Sequence, residues 1–278
     1  MPEIPLMPVS TLRCSLRATL LAGLGLLAAC SSTPPSNITL AEGAQAPGNA
    51  QSTQIKDVRT QAIQWQGVKP GCQGECPTIE INSVAFPDIP RLTEAVDHTL
   101  ASLTGLDQNL RGQYETLSEF TQYFWRNAQG RDTTHFKASV KDVAQGVIAV
   151  ELHTGQYFTG AAHGIPATVY LNWSQPKGQL LSLNDLLIPG RHDAYVKVLR
   201  EAHQRWLADN EDARRDPATY NRMWPFQETD NVAVTRDGLV VKYDAYSIAP
   251  YSQGEPELLL PWSQLQGVIR PEYLGPLG

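Results

Sequence analysis

The chain has 278 residues, and its 22 basic and 28 acidic residues give a net charge of −6. This acidic balance excludes a nucleic-acid-binding protein of the usual strongly basic kind. An apolar share of 42 % is typical of a soluble globular protein and excludes a chain that is disordered throughout.

The N-terminal 29 residues have the features of a bacterial secretory signal peptide. Arg13 and Arg17 precede an apolar run at residues 20–29. That run is too short to span a bilayer, which needs about 20 apolar residues, but it suits a signal core of about 7–15 residues. It ends in the letters LAAC at residues 27–30, which resemble a bacterial lipobox. The alternative is an ordinary secretory signal with a chance cysteine at its end.

We therefore expect cleavage before Cys30 and acylation of Cys30, which would anchor the chain in a lipid bilayer. The mature chain would hold 20 basic and 27 acidic residues, a net charge of −7. In Gram-negative lipoproteins, Asp after the lipidated cysteine usually signals retention in the inner membrane. Ser31 stands there instead, so we expect an outer-membrane lipoprotein that faces the periplasm.

Residues 30–56 are predicted to form a flexible tether. They are rich in Ser, Thr, Pro, Gly, Ala, Gln and Asn, and before Gln51 they hold only two large aliphatic residues, Ile38 and Leu40. Such a segment buries too little apolar surface to offset the entropy lost on ordering. It would hold the folded part of the chain away from the membrane.

Two cysteines, Cys72 and Cys76, remain after the signal and the lipidated position are set aside. Outside the cytoplasm a close pair favours a disulfide bond, which for so short a loop stabilises by about 2 kcal/mol at most. A metal site would need two further ligands, and a redox pair usually has two intervening residues rather than three. These two alternatives stay open.

From residue 57 onward the pattern predicts strands and helices in runs rather than in strict alternation, which favours an α+β fold with antiparallel sheets packed with a few helices. Two subdomains are expected, at residues 57–158 and 159–278. Strands are predicted at 58–66, 78–86, 133–140, 147–158, 165–174 and 258–262, with a hairpin at 231–243 around an Asp-Gly turn. Helices are predicted at 89–103, 114–125 and 191–208, with a short helical turn within 180–187.

The C-terminal part resembles the extracytoplasmic domain of the RsiV-like family of lysozyme-sensing anti-sigma factors. Its segments in order are TGAAHG at 159–164, LLSLNDLL at 180–187, DGLVV at 237–241, YSIAPYSQG at 246–254, and residues 256–265. The same module occurs as a non-catalytic part of other envelope proteins. An anti-sigma factor also needs a cytoplasmic segment and a transmembrane helix, whereas this chain has a lipobox and a tether. The resemblance therefore implies the fold and recognition of lysozyme or another envelope protein.

Two loops hold the candidate protein-binding residues. These residues are His163, Gly164 and Ile165 in the first loop, and Tyr246, Ile248, Pro250 and Tyr251 in the second. Tyrosine suits an interface because it combines a large contact area with a polar tip. The structural alternative is a tight turn that needs glycine, and a second loop that folds back as a cap on the core.

No nucleophile elbow, zinc motif, Walker loop or dinucleotide fingerprint occurs, and the six histidines are scattered, so we expect no enzyme, cofactor or metal. Glu255 and Glu257 would share one face of a strand, but a glycosidase pair needs a spatial separation that sequence does not supply. The leading function is a lipid-anchored, non-catalytic module that binds a lysozyme-like or other envelope protein. The alternatives are a structural lipoprotein associated with peptidoglycan and a cell-wall hydrolase.

Overall fold

The structure is a computed structural model that describes residues 38–45, 51–104 and 114–276. The predicted signal peptide and the predicted lipidation site at Cys30 lie outside the described residues. No helix in the described ranges has both the length and the apolar character that crossing a membrane requires.

The larger sheet has seven strands in the spatial order β1 to β7. Neighbouring strands are antiparallel except β3 and β4, which are parallel. The strands are β1 (Ser52–Ile55), β2 (Val58–Val68), β3 (Thr78–Ala85), β4 (Thr133–Ala144), β5 (Val147–Tyr157), β6 (Ile165–Ser174) and β7 (Gln179–Leu181).

Two helices, α2 (Pro90–Ser102) and α3 (Leu117–Asn127), lie in the crossover that joins the parallel strands β3 and β4. Proline at the first position suits the start of α2, because that N–H has no partner within the helix in any case. Thr116 caps α3 and accepts the N–H of Glu119 at 3.1 Å. The buried faces of both helices pack with one face of the strands into a first hydrophobic core.

The smaller sheet has the spatial order β10-β9-β8 and is antiparallel. Its strands are β8 (Val232–Val234), β9 (Gly238–Lys242) and β10 (Glu257–Pro261). The preceding helices are α4 (Leu183–Leu186), α5 (His192–Asp209), α6 (Glu211–Arg215) and α7 (Pro217–Met223), and α1 (Leu40–Gly43) lies near the N-terminus. Among the residues that the structure describes, 3-10 turns cover Tyr251–Gln253, Trp262–Gln264 and Pro271–Tyr273. A second hydrophobic core forms between α5 and this sheet.

Asn172 on β6 joins the two sheets. Its buried side-chain amide donates to the carbonyl of Val232 at 2.7 Å and accepts the N–H of Val234 at 2.8 Å. The amide therefore binds a backbone carbonyl and a backbone N–H of β8, as the backbone of a neighbouring strand would. The loop that follows β9 lies beside the start of β6, where the N–H of Thr168 donates to the side chain of Asp244 at 3.2 Å.

The predicted α+β class with antiparallel sheets is confirmed. The parallel pairing of β3 with β4 was not predicted. Strands β5 and β6, which flank the predicted division at residue 158, are adjacent in the sheet, with Thr154 opposite Ala167. The two predicted parts thus share one sheet, and each contributes most of a separate hydrophobic core.

The prediction of a flexible tether is wrong for residues 38–45 and 52–55. Ile38 and Leu40, the two large aliphatic side chains of that stretch, are buried in the first core. Composition misleads here because the segment needs no core of its own. It adds two side chains to an apolar surface that the domain already supplies.

The predicted disulfide between Cys72 and Cys76 is present, with Cα atoms 5.8 Å apart. It closes a loop between β2 and β3. Gly71 and Gly74 in this loop have φ angles of +72° and +82°, which a side chain would strain.

Candidate functional site

Four rings from three separate segments meet on the surface, and we call them the aromatic patch: His163, Trp224, Tyr246 and Tyr251. His163 and Tyr251 stack with ring centroids 4.3 Å apart, and the centroid of Tyr246 lies 5.5 Å from that of Tyr251. Trp224 extends the group, with its centroid 6.1 Å from Tyr246 and the two rings within 26° of parallel. The two loops that the sequence singled out therefore come together.

Hydrogen bonds fix the orientation of these rings. His163 Nδ1 lies 2.8 Å from the carbonyl oxygen of Gly164, and because a carbonyl only accepts, Nδ1 carries the proton. In the neutral ring Nε2 is then the acceptor for the Tyr246 hydroxyl, at 3.3 Å. The Tyr251 hydroxyl donates to the same Gly164 carbonyl at 3.3 Å. One backbone carbonyl thus links both loops.

The loop that contains Tyr246 is fixed by two buried side chains of its own and by a hydrogen bond from a neighbouring segment. Ile248 and Ala249 are fully buried and fasten it to the core. The side-chain amide of Gln227 donates to the carbonyl of Ser247 at 2.7 Å. Tyr246 itself has φ +67°, a left-handed conformation that is uncommon for a residue with a side chain. A strained backbone that holds a half-exposed ring outward is a common feature of functional sites.

Tyr251 is positioned by contacts from the helical side of the domain. It begins the 3-10 turn whose last residue is Gln253. The side-chain oxygen of Gln253 accepts from Asn210, at the start of α6, at 2.6 Å and from the Tyr220 hydroxyl of α7 at 3.3 Å. The position of this 3-10 turn is therefore fixed by hydrogen bonds to α6 and α7 as well as by its connections to β9 and β10.

The other predicted residues of the site have different surroundings. Ile165 begins β6 with 44 % of its surface exposed, next to Gly164 in the sequence. Pro250 is half-buried and precedes the 3-10 turn. The prediction that Ile248 contacts a partner is wrong. Its side chain has no exposed surface and anchors the loop to the core.

Sequence reasoning missed Trp224 and its neighbour Met223, which is 57 % exposed. They lie at the end of α7, far in sequence from both predicted loops. The available signal was a Trp-Pro pair, because proline disfavours helical backbone at the residue before it and so predicts that Trp224 lies where a helix gives way to a loop. Nothing local indicated that this loop would reach Tyr246.

A second group of polar side chains lies where β4, β5 and β6 face the smaller sheet, and we call it the charged cluster. Its members are Lys141, Glu151, His153, Thr168, Tyr170, Lys242, Glu255 and Glu257. Lys242 pairs with Glu151 at 2.8 Å, and Lys141 pairs with Glu257 at 2.5 Å. Both oxygens of Glu255 lie 2.9 Å from the Thr168 hydroxyl.

The carboxylates of the charged cluster are stabilised in their ionised form. Burial works to raise the pKa of Glu257, but hydrogen bonds from Lys141 and Tyr170 outweigh it and hold the pKa below its ordinary value. Burial likewise opposes the hydrogen bonds from His153 and Thr168 at Glu255, whose pKa is also lowered. The two carboxylates that the sequence singled out thus join the two sheets through ion pairs and hydrogen bonds. Within residues 38–45, 51–104 and 114–276, no group of three or more His, Cys, Asp or Glu side chains suits a metal ion.

Fold and site together define an α+β domain of two sheets with a preassembled aromatic patch at the surface. A family profile described as "Protein of unknown function (DUF3298)" matches residues 184–263. The crystal structure of a DUF3298 family protein from Pseudomonas aeruginosa PAO1 is similar, with a TM-score of 0.72 and 33 % sequence identity. That likeness covers 80 % of this chain and 98 % of the other. The chain belongs to the DUF3298 family.

A member of the same family from Bacteroides fragilis NCTC 9343 shares the fold, with a TM-score of 0.55 and 17 % identity over 79 % of this chain and 96 % of the other. A search of curated proteins finds no significant match. Because the family description assigns no activity, function has to be argued from the site.

Proposed function

We propose that the protein is an outer-membrane lipoprotein whose periplasmic domain is a non-catalytic binding module for a c-type lysozyme or a similar envelope protein. The aromatic patch carries this proposal. The resemblance of residues 159–278 to the RsiV-like ectodomain supports the choice of partner. Acylation at Cys30 rests on the signal and lipobox pattern.

The patch has the composition of a protein-binding hot spot. Trp and Tyr are enriched among the residues that contribute most to binding, and such residues cluster at the centre of an interface inside a polar rim. Tyr246 and Met223, the sequence neighbour of Trp224, offer exposed apolar surface. Asp244 and Gln227 supply polar groups near Tyr246, and Gln227 bonds to the carbonyl of Ser247. A partner would bury the rings and leave the polar groups at the edge.

The charge of the chain favours a basic partner. The mature chain would hold 27 acidic and 20 basic residues, so it attracts a cationic protein such as lysozyme. Dissolved salt screens this attraction and shortens its range. Electrostatic attraction of this kind raises the association rate more than the final affinity. Binding that depends on the patch should therefore persist at physiological salt, whereas purely ionic attraction should not.

The test is calorimetric titration of the mature chain, made soluble by Cys30→Ser, with c-type lysozyme at low and at physiological salt. We expect micromolar or tighter binding that weakens modestly with salt and that falls at least tenfold in Tyr246→Ala. Val68→Ala is the control, because Val68 is an exposed apolar residue at the end of β2, outside the patch.

Absence of binding at both salt concentrations would contradict lysozyme recognition. Co-sedimentation of the protein with purified sacculi would then favour the structural peptidoglycan-associated alternative, and a cleared zone in a zymogram would favour the hydrolase. Acylation is tested separately, by the mass of the mature N-terminal peptide from the membrane fraction and its loss in Cys30→Ser.

A further inference from the structure

Residues 38–45, which we call the latch segment, dock against the domain through very few side chains. Ile38 and Leu40 are buried, and α1, which begins at Leu40 and ends before Ala44, is a single turn. A side-chain carbon at Gly43 would lie 2.8 Å from Cγ2 of Ile63 on β2, so the segment and the sheet approach closely. The amide of Gln61 also donates to the carbonyl of Ala44.

Asp97 on α2 fastens the latch segment at its centre. This buried carboxylate accepts the N–H of Leu40 at 2.8 Å through one oxygen and the N–H of Leu117, the first residue of α3, at 2.9 Å through the other. One side chain therefore connects the latch segment to both helices of the first core. Its bond to Leu117 does not involve the latch segment.

We infer that the latch segment sets how far the domain can stand from its lipid anchor, an inference that rests on the proposed acylation of Cys30. In the docked state eight residue-to-residue steps join Cys30 to Ile38. At about 3.5 Å per residue they reach at most about 28 Å. With the latch segment undocked, the chain from Cys30 to Ser52 spans 22 such steps and reaches up to about 77 Å. Docking thus divides the maximum reach by almost three.

Undocking does not require the domain to unfold. The apolar anchor consists of Ile38 and Leu40, whereas the first core contains the buried faces of two helices and of the central strands. When the segment leaves, Asp97 keeps the N–H of Leu117 and gains access to water on its other side. Segments with few buried contacts open locally at lower free energy than the whole domain. A partner or the cell wall that draws the domain away from the membrane would favour the long state.

The test uses the lipidated full-length protein in lipid vesicles. Asn221, which is exposed on α7, is replaced by cysteine and labelled with a donor dye, and the vesicles carry an acceptor lipid. Hydrogen exchange on the same samples follows the amides of Leu40 and of Val150 in the centre of β5. The variant Leu40→Ser removes the apolar anchor, and Ala41→Ser introduces the same side chain at the adjacent exposed position.

In the wild type we expect the Leu40 amide to exchange at least tenfold faster than that of Val150. In Leu40→Ser, the amide of residue 40 should exchange at least tenfold faster again, while Val150 keeps its protection. Energy transfer to the membrane should fall in Leu40→Ser and stay at the wild-type level in Ala41→Ser. Equal transfer in all three proteins, or equal exchange at residue 40, would overturn the latch. Protein that does not associate with vesicles at all would contradict the lipid anchor, and the exchange data would still report on docking.

Discussion

His163 and Tyr251 stack face to face, with ring centroids 4.3 Å apart and planes within 28° of parallel, although they come from loops attached to different sheets. The stack is held by contacts within the chain itself, because His163 Nδ1 and the Tyr251 hydroxyl both donate to the carbonyl of Gly164. A binding surface whose rings are already ordered loses less conformational entropy on association than one that forms on contact. The aromatic patch is therefore suited to binding rather than merely exposed.

Two substitutions of Tyr246 distinguish the effect of the patch on binding from its effect on stability. Both Tyr246→Ala and Tyr246→Gly remove the ring and should weaken lysozyme binding to a similar extent. Because residue 246 has φ +67°, glycine relieves a strain that alanine keeps. We expect the glycine variant to be more stable than the alanine variant by about 1 kcal/mol, the reverse of the usual order.

Urea unfolding of the two variants checks this order, and calorimetry checks the affinities. The matched pair controls for loss of the ring itself. A glycine variant less stable than the alanine variant would show that residue 246 does not hold a left-handed conformation in solution.

The alternation of apolar and polar residues predicted most of the strands, because a half-buried strand exposes every second side chain. It did not predict the parallel pairing of β3 with β4, which depends on a crossover through two helices. Ile248 was assigned to the binding surface because its neighbours are tyrosines. The fold turns it inward, since the backbone of residues 246–251 is irregular and has no repeating period to follow. Local composition is polar around Leu40 and predicts a tether, whereas its side chain is buried in the first core and its N–H is bound by Asp97, both formed by residues distant in the sequence.

The disulfide between Cys72 and Cys76 should contribute modestly to stability. It closes a short loop, for which the chain-entropy treatment gives about 2 kcal/mol at most. The double variant Cys72→Ala with Cys76→Ala should therefore fold and keep its lysozyme affinity, because the loop between β2 and β3 contributes no ring to the patch. Thermal unfolding under non-reducing conditions measures the loss, and wild type with reductant is the control. A variant that does not fold would show that the loop has a larger role.

Asp142 on β4 should be among the most sensitive acidic positions. Its buried carboxylate accepts the backbone N–H of Arg236 at 2.8 Å, two bonds from the Arg236 side chain, and the N–H of Val143 at 2.8 Å. Asp142→Asn keeps the shape but points an NH₂ group at donors. We expect a loss of about 1–3 kcal/mol in the free energy of unfolding. Asp209→Asn, at an exposed position, should stay within about 0.5 kcal/mol of wild type.

The effect of Asp142→Asn should depend on pH in a defined direction. Burial opposes ionisation of Asp142, but hydrogen bonds from Arg236 and Val143 outweigh it and hold the pKa well below the ordinary 3.8. The unfolded chain therefore takes up this proton first as the pH falls. The stabilisation by Asp142 is complete above 3.8 and is lost as the pH falls from there towards the lowered pKa. Urea unfolding at pH 7 and pH 3 should show a smaller difference between wild type and variant at pH 3.

His203 on α5 should make the protein sensitive to mild acid. Its ring is buried against Trp206 and Phe226, and Nε2 has no hydrogen-bond partner in the part of the chain that the structure describes. Burial, with a smaller effect from the charge of Arg200, lowers the pKa of His203 from its ordinary 6.5. As the pH falls below 6.5 the unfolded chain binds the proton first, so stability decreases until the lowered pKa is reached.

Replacing His203 by leucine, which has a similar volume, should remove this dependence. The variant should lie within about 1 kcal/mol of wild type at pH 8, where the neutral ring carries no charge penalty. Below pH 6.5 it should become the more stable of the two, by an amount that grows as the pH falls to 5. His192→Leu, at an exposed position on the same helix, controls for the loss of a histidine as such. Urea unfolding at half-unit steps between pH 5 and pH 8 measures the three profiles. Parallel profiles for wild type and His203→Leu would show that water reaches His203 in the folded state.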